Sequence, residues 1–303
     1  MAQASGSRFG ILALVLASVL WGTTGTAASF IEDAVSPIAI GASTMTVGGL
    51  LLFAFSARAS MATLRDPRAR RWLVLGAVGV FVYPLAFYTA MDQAGVAVGN
   101  VVALGSGPIF AALLEWLWER HRLSLRWAFC AGIAIVGVVL LSTGRVTDEG
   151  SGKSVSLGVA LGLLAGFAYA LYTYASTRVL DLGHPSRGVM GGMFGLGALL
   201  LAPVLIATGA PLLAQGESMA IAAYLAIGPM FVAYLLFGFG LRSIRSSVAT
   251  TVTLIEPVVA AALAILVVGE QLRWSGWAGL ALILVGVTLL VSARQPGKSS
   301  GAS

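Results

Sequence analysis

Charged residues are scarce in this chain of 303 residues, of which aspartate, glutamate, lysine and arginine together make up 10%. Soluble domains carry about 25%, so this chain has too few charges to cover a water-exposed surface. The scarcity of charge also excludes intrinsic disorder, which requires low hydrophobicity and high charge. Cysteine occurs once, as Cys130. A disulfide within the chain is therefore excluded.

Other missing residue types exclude whole classes of chemistry. The two histidines, His121 and His184, lie outside the apolar stretches, which contain no cluster of histidines and carboxylates. A metalloenzyme within the bilayer needs such ligands, so we expect no metal site and no cofactor. The phosphate-binding pattern GxxxxGK[ST] is absent, which excludes ATP-driven transport by this chain alone. Paired acid and base groups are also missing from the apolar stretches, so an integral-membrane enzyme is disfavoured.

Apolar residues, at 58% of the chain, dominate what is present. Charges and turn residues divide them into ten stretches, and a helix of ~20 such residues crosses the ~30 Å hydrocarbon core of a bilayer. The limits are 9–31, 36–57, 72–91, 94–117, 125–143, 155–177, 186–207, 219–241, 246–268 and 274–293. The sequence therefore predicts an all-α integral membrane protein with ten transmembrane helices and the lipid bilayer as its surroundings.

Basic residues are distributed unevenly among the loops. If the N-terminus lies inside, the outer loops hold only Arg145, Lys153 and Arg273 of the 18 basic residues. Cytoplasmic loops carry an excess of arginine and lysine, so we expect a multi-pass protein of the inner or plasma membrane with both termini cytoplasmic. This topology explains the net charge of +6, and no nucleic-acid partner is implied.

The two halves of the chain match at a nearly constant offset. Pro37 pairs with Pro185, Trp21 with Tyr169, and Pro108 with Pro257. Five helices in each half is an odd number, so the second copy must enter the membrane from the other side. We predict two inverted five-helix repeats, residues 1–146 and 147–303, the second ending in a short cytoplasmic tail. Inverted repeats are typical of secondary transporters, whose substrate site lies near the midplane; a duplicated scaffold or channel is the alternative.

Short motifs add a family resemblance. They are Trp21-Gly22-Thr23, the run Ala94–Pro108 leading into Glu119, the run Thr253–Ala261, and the pair Gly269-Glu270. In this order the chain resembles, over residues 9–293, the EamA-type members of the drug/metabolite transporter superfamily. The resemblance implies export of small metabolites, often amino acids or related compounds, without ATP. One departure is Glu119-Arg120-His121, where the family usually has Gly-Glu.

Glu256 is the most informative polar residue, about ten residues into the ninth stretch. A carboxylate at that depth costs ~2.5–3.5 kcal/mol on insertion scales, so we expect it to face the protein interior or a water-filled cavity. Thr253 and small residues share its helical face and leave space there. In one interpretation Glu256 binds a substrate amine, a proton, or both in alternation. In the other it is protonated and hydrogen-bonded to a neighbouring helix beside Pro257.

Further candidate substrate-binding residues combine rings with polar groups inside the helices. They are Trp21 and Thr24 in the first, Tyr83 and Tyr88 in the third, Asn100 in the fourth, Tyr169 and Tyr172 in the sixth, and Tyr234 in the eighth. A wall of this kind suits an amphipathic substrate such as an amino acid. The alternative is helix packing, for which the spacing of Gly158, Gly162 and Gly166 is typical.

Prolines and one further carboxylate lie within the predicted helices. Pro84, Pro108, Pro229 and Pro257 lie inside predicted helices, where they act as hinges or as static kinks. Glu115, near the cytoplasmic end of the fourth stretch, is expected only to reach toward water. Helices 5 and 10 lack central polar groups and are expected at the periphery.

Taken together, these patterns predict a secondary active transporter that exports a small metabolite by alternating access, with protons as the candidate coupling ion. A passive channel or facilitator, or an importer of small solutes, is the alternative. A carrier must show saturation and counterflow, whereas a channel shows neither.

Overall fold

The computed structural model describes residues 2–31, 35–94, 96–120, 124–143, 154–214, 216–268 and 272–292. These residues form helices joined by short connections, and no β-strand occurs among them. In the same ranges, nine helices are long and apolar enough to cross a membrane, and the apolar part of a tenth, Leu125–Leu141, is shorter. The all-α membrane architecture expected from the ten apolar stretches is confirmed.

The first half of the chain contains six helices. They are α1 (Ala2–Ala28), α2 (Pro37–Phe55), α3 (Ala57–Arg65), α4 (Pro67–Ala94), α5 (Val96–Glu119) and α6 (Leu125–Thr143). The start of α2 follows from local chemistry, because the backbone N–H of Ala39 donates to the Ser36 hydroxyl at 3.2 Å. Pro37 suits the first helical position, where its missing N–H would have no intrahelical partner.

The helix α3 corrects the sequence-based limits, which leave residues 58–71 as a loop. Alanine, methionine and arginine, all good helix formers, fill most of Ala57–Arg65. Its buried Ser60 and Thr63 lie against Gly191 and Gly188, which belong to the helix Ser186–Thr208. We call the end of the bundle that carries α3 the arginine-rich end.

The second half contains seven helices and several irregular turns. The helices are α7 (Val155–Asp181), α8 (Ser186–Thr208), α9 (Gly216–Leu225), α10 (Ala233–Gly240), α11 (Ser246–Val252), α12 (Glu256–Leu263) and α13 (Trp274–Ser292). The π-helical segment Ala226–Val232 joins α9 to α10, so together they form the eighth predicted span. A 3₁₀ turn, Thr253–Ile255, joins α11 to α12 in the ninth.

The packing of the helices follows the two-fold relation expected of inverted repeats. From the second half, α7 packs against α4 and α5 of the first. In the equivalent way, α1 packs against α9–α10 and α11–α12 of the second half. The pairs α2/α8 and α6/α13 join each helix to its own counterpart. The two halves therefore exchange their first helices and share one core.

Glycines set the closest helix contacts. Gly158 of α7 lies against Ala94, and a side chain at Gly166 would overlap Ser106 of α5. The packing interpretation of this glycine spacing is therefore confirmed. Gly137 of α6 and Gly279 of α13 approach each other so closely that a β-carbon on either would meet the other's backbone. The helices α6 and α13 pack on each other and contribute nothing to the cavity described below.

Candidate functional site

A cavity of about 110 Å³ lies between the two halves of the bundle. A water molecule needs roughly 10–15 Å³ of such space, so the cavity has room for several waters or one small ligand. Most of the residues predicted from the sequence line it: Trp21, Thr24, Tyr83, Tyr88, Tyr169, Tyr172, Tyr234 and Glu256. The rest of the lining comes from Gly41, Thr44, Met45, Pro84, Phe87, Leu104, Pro229 and Met230.

Aromatic rings form most of the cavity wall. The Trp21 and Tyr234 ring centroids lie 5.0 Å apart, and the Tyr169 and Tyr172 centroids lie 5.3 Å apart. Tyr83 lies 6.1 Å from Tyr169 and 6.2 Å from Tyr172, at interplanar angles of 49° and 84°. Because the rings of these four pairs lie at large angles to one another, they enclose the space from several directions.

Hydrogen bonds hold several of these rings in place. The indole N–H of Trp21 donates to the carbonyl oxygen of Pro229 at 2.8 Å. That carbonyl lies in the π-helical segment Ala226–Val232, where the regular ladder of the helix is interrupted. The hydroxyls of Tyr172 and Tyr234 lie 3.0 Å apart. Through these contacts α1, α7 and the eighth span are fixed relative to one another at the cavity.

Thr253 and Asn100 do not line the cavity. Thr253 lies behind its wall, and the Thr253 hydroxyl is 2.7 Å from that of Tyr169. It therefore orients a lining ring rather than facing the open space. Asn100 is half-buried in α5 and is absent from the lining. The structure thus brings together most of the predicted site and leaves these two residues outside it.

Glu256 is the first residue of α12, directly after the 3₁₀ turn that ends α11. Its side chain is half-buried, and the structure gives its carboxyl no hydrogen-bond or ion-pair partner among the described residues. The bond to a neighbouring helix, expected if the carboxyl were only structural, is not found in this part of the chain. No other acidic residue and no lysine, arginine or histidine occurs in the described lining. The cavity therefore holds one carboxyl group with its oxygens unpaired.

The four prolines differ in what surrounds them. Pro84 and Pro229 line the cavity, whereas Pro108 and Pro257 do not. In the first half, α4 and α5 continue as α-helix through Pro84 and Pro108. In the second half, Pro229 lies in a π-helical segment and Pro257 follows a 3₁₀ turn. Irregular backbone at proline is thus confined to the second half.

Glu115 corrects the sequence-based expectation, because its side chain does not reach toward water. It is 2% exposed and joins α5 to the start of α11. The Ser246 hydroxyl and the Ser247 backbone N–H donate to its Oε1 at 2.7 and 2.9 Å, and the Ser247 hydroxyl donates to Oε2 at 2.7 Å. The first N–H groups of a helix lack intrahelical partners and attract a carboxylate. This favours Glu115 at the start of α11 over solvent.

Glu119, one turn further along α5, extends this connection. Arg178 of α7 and Arg245 before α11 each donate to one of its carboxylate oxygens at 3.3 Å. We call the residues Glu115, Glu119, Arg178, Arg245, Ser246 and Ser247 the Glu115–Glu119 network. It joins α5, α7 and α11 at the arginine-rich end. Sequence reasoning missed it because its members are far apart in the chain.

A separate pair of polar side chains, His184 and Asp66, lies at the same end. His184 Nε2 is 2.9 Å from Asp66 Oδ2. The hydrogen bond with His184, helped by the backbone N–H of Arg68, lowers the pKa of the Asp66 carboxyl. The contribution of this pair to stability is therefore present above the ordinary pKa of aspartate and is lost as the pH falls through the lowered value.

Among the residues that the structure describes, the opposite end of the bundle shows no counterpart of the Glu115–Glu119 network. At the repeat offset of 149, the residues that correspond to Glu115 and Glu119 are Ala264 and Val268. Neither has a carboxyl group. Cavity residues lie toward this end, since Thr24 and Tyr88 are within about two turns of the ends of α1 and α4 there.

A glycine beside Glu256 gives a test of how tightly the site is packed. A β-carbon on Gly22 would lie 2.6 Å from Cβ of Val259 and 3.0 Å from the carbonyl oxygen of Glu256. We expect Gly22→Ala to lower the free energy of unfolding by about 1–3 kcal/mol, because α1 must move away from α12. Thermal unfolding of the purified protein in detergent measures this. Gly25→Ala is the matched control on the same helix, since nothing lies within 4 Å of its β-carbon. Equal midpoints for the two variants would contradict the prediction.

Comparisons with known proteins agree with the architecture. The pattern of the EamA-like transporter family matches residues 8–143 and 156–292. Over 296 residues the chain is 30% identical to YwfM of Bacillus subtilis (strain 168), named an uncharacterized transporter, and the match covers 96% of this chain and 97% of that protein. It is 25% identical over 293 residues to YicL of Salmonella typhimurium (strain LT2), named an uncharacterized inner membrane transporter, with 94% and 95% covered.

A solved crystal structure shares the fold. It superimposes with a TM-score of 0.77 at 23% sequence identity, covering 94% of this chain and 96% of the other. The family match extends over both halves, and the named relatives span nearly the full length of the chain. This multi-pass membrane protein, which transports small solutes, belongs to the EamA-like transporter family.

Proposed function

We propose that the chain is a secondary active transporter that exports a small amphipathic metabolite bearing a positively charged nitrogen, by alternating access. The observation that carries the proposal is the unpaired carboxyl of Glu256 in a cavity between two inverted repeats. Intramembrane carboxyls in such cavities mark substrate or proton pathways. Sites between inverted repeats are where secondary transporters bind their substrates.

The two ends of the bundle have different roles in this proposal. The Glu115–Glu119 network closes the arginine-rich end, which the excess of basic residues assigns to the cytoplasm together with both termini. The cavity lies toward the other end, and in this proposal it opens to the outside. In the opposite conformation the network separates, and the substrate enters from the cytoplasm. The repeats 1–146 and 147–303 move relative to each other around Glu256.

Glu256 couples the two conformations by exchanging partners. The substrate cation binds to the ionised carboxylate from the cytoplasm, and a proton replaces it from outside. The protein then returns to the conformation open to the cytoplasm while the carboxyl is neutral. Burial of the neutral form costs less than burial of the charged form. Protons are the coupling ion in this scheme, and no ATP is consumed.

The proposal is tested by comparing metabolites in the medium of cells that express the protein with those of an empty-vector control. We expect a few related compounds to accumulate outside only when the protein is present. In proteoliposomes the same compounds should show saturable flux and counterflow. Matching media would contradict export, and flux without saturation or counterflow would favour a passive channel.

A further inference from the structure

The ionisable side chains in the described lining of the cavity are acidic and not basic. Glu256 supplies a carboxyl, and the part of the lining that the structure describes offers no basic side chain to pair with it. The Trp21 N–H, a possible donor to an anion, is already bound to the carbonyl of Pro229. A ligand with a positive charge would therefore satisfy this cavity, whereas a carboxylate on the ligand would meet only neutral hydroxyls and the Glu256 carboxylate.

The rings around Glu256 favour the same sign of charge. An aromatic face carries partial negative charge and attracts a cation within about 6 Å of its centroid, most strongly at tryptophan. Trp21 and Tyr234 are 5.0 Å apart, and Tyr83 is about as near to Tyr169 as to Tyr172. These rings contact one another, so a cation in the cavity lies beside them, where several of them line the same space.

The size of the cavity limits the ligand. A dry cavity of about 150 Å³ holds benzene, so a space of about 110 Å³ suits a chemical group of roughly that size. Small amines and the trimethylammonium groups of quaternary ammonium compounds are of this size. A ligand with two charged ends would place an anion beside Glu256.

We infer that the transported compounds are small organic cations without a carboxylate, bound by Glu256 and by the ring faces of Trp21, Tyr83 and Tyr234. This inference rests on the proposed function, since it names the substrate class of the same cavity. The inference predicts that amines and quaternary ammonium compounds bind better than amino acids or betaines with the same carbon skeleton. Like charges repel more strongly within a protein than in bulk water, so the carboxylate of an amino acid weakens its binding.

Two matched sets of compounds test the inference on the purified protein in detergent. One set is choline, glycine betaine and 3,3-dimethylbutan-1-ol, which share their shape but are a cation, a zwitterion and a neutral molecule. The other is isobutylamine, valine and 2-methylpropan-1-ol. Isothermal titration calorimetry should give a dissociation constant for the cation about tenfold or more below those of its partners in at least one set, where tenfold equals 1.4 kcal/mol.

Several outcomes would overturn the inference. Equal or tighter binding of the zwitterions would show that the carboxylate is recognised. Equal binding of the neutral alcohols would show that only apolar contact matters. No binding in either set would exclude small organic cations of both kinds as ligands.

Counterflow in proteoliposomes separates this inference from the proposed function. If the cation binds preferentially but does not exchange across the vesicle membrane, the cavity is selective for cations but the proposed transport function is wrong. If other metabolites exchange while neither cation binds or exchanges, transport stands and the inference about substrate class is wrong. Both hold if the preferred cation shows saturable counterflow and its zwitterionic analogue does not.

Discussion

Replacing Glu256 with glutamine is expected to reduce the rate of substrate transport by about two orders of magnitude, because loss of one partner from a buried charge pair costs about 2–5 kcal/mol. Glutamine keeps the size of the side chain but carries no charge and takes up no proton. The transport rate of the wild type should therefore depend on pH, and the residual rate of Glu256→Gln should not. Initial rates in proteoliposomes with equal amounts of protein measure both quantities.

Glu217→Gln is the matched control for Glu256→Gln. Glu217 is an exposed carboxylate at the start of α9 and lies outside the cavity wall. We expect this variant to transport at the wild-type rate with the wild-type pH dependence. Undiminished, pH-insensitive transport by Glu256→Gln would end the hypothesis that this carboxyl binds substrate or proton.

Replacing Glu115 with alanine is expected to destabilise the folded protein by about 3 kcal/mol. Buried donors left without an acceptor cost about 1–3 kcal/mol each, and three donors, from Ser246 and Ser247, lose theirs. The two serine hydroxyls can rotate toward other acceptors, whereas the backbone N–H of Ser247 cannot. Thermal unfolding in detergent measures the loss.

The same change should also open the arginine-rich end of the bundle. Cys130 is the only cysteine of the chain and is buried, so a Cys130→Ser background allows a single reporter thiol to be introduced. Val248, in α11 next to the network, is 7% exposed. We expect a thiol reagent to label Val248→Cys faster when Glu115→Ala is also present.

Glu119→Gln is the comparison for Glu115→Ala, since Glu119 lies one turn further along α5. The Glu119 side chain is 25% exposed, and those of Arg178 and Arg245 are 36% and 23% exposed. Such partly exposed ion pairs contribute about 0–1 kcal/mol. We therefore expect a small change in both stability and labelling. Labelling of Val248→Cys that does not respond to Glu115→Ala would show that the network does not hold this end closed.

The sequence predicts the apolar helices and most of the cavity wall because both depend on local information. Long apolar runs are necessary for a membrane span. A carboxyl or tryptophan in the middle of such a run is expected to face the protein interior. Trp21 and Glu256 were identified on this basis, and both line the cavity. Their role in binding substrate remains the prediction that the transport assays test.

The sequence-based predictions fail where a residue's contact partners lie far away in the chain. Glu115 near the end of a span gives the same sequence pattern whether it faces water or another helix, and Ser246 and Ser247 are more than 100 positions away. The helix α3 was missed because its arginines resemble a cytoplasmic loop. Asn100, predicted from its helical face, is absent from the lining, although Leu104 one turn further along the same face of α5 is part of it.

The exchange of first helices between the halves has a consequence for biosynthesis. Trp21 of α1 donates to the carbonyl of Pro229, 208 residues later in the chain. At a synthesis rate of about 5–20 residues per second, α1 waits on the order of 10–40 s in the bilayer before that partner emerges from the ribosome. Until then neither half can complete its packing. The chain therefore reaches its folded state only after translation of the second half, and a ribosome that stalls between α6 and α9 leaves α1 without its docking surface.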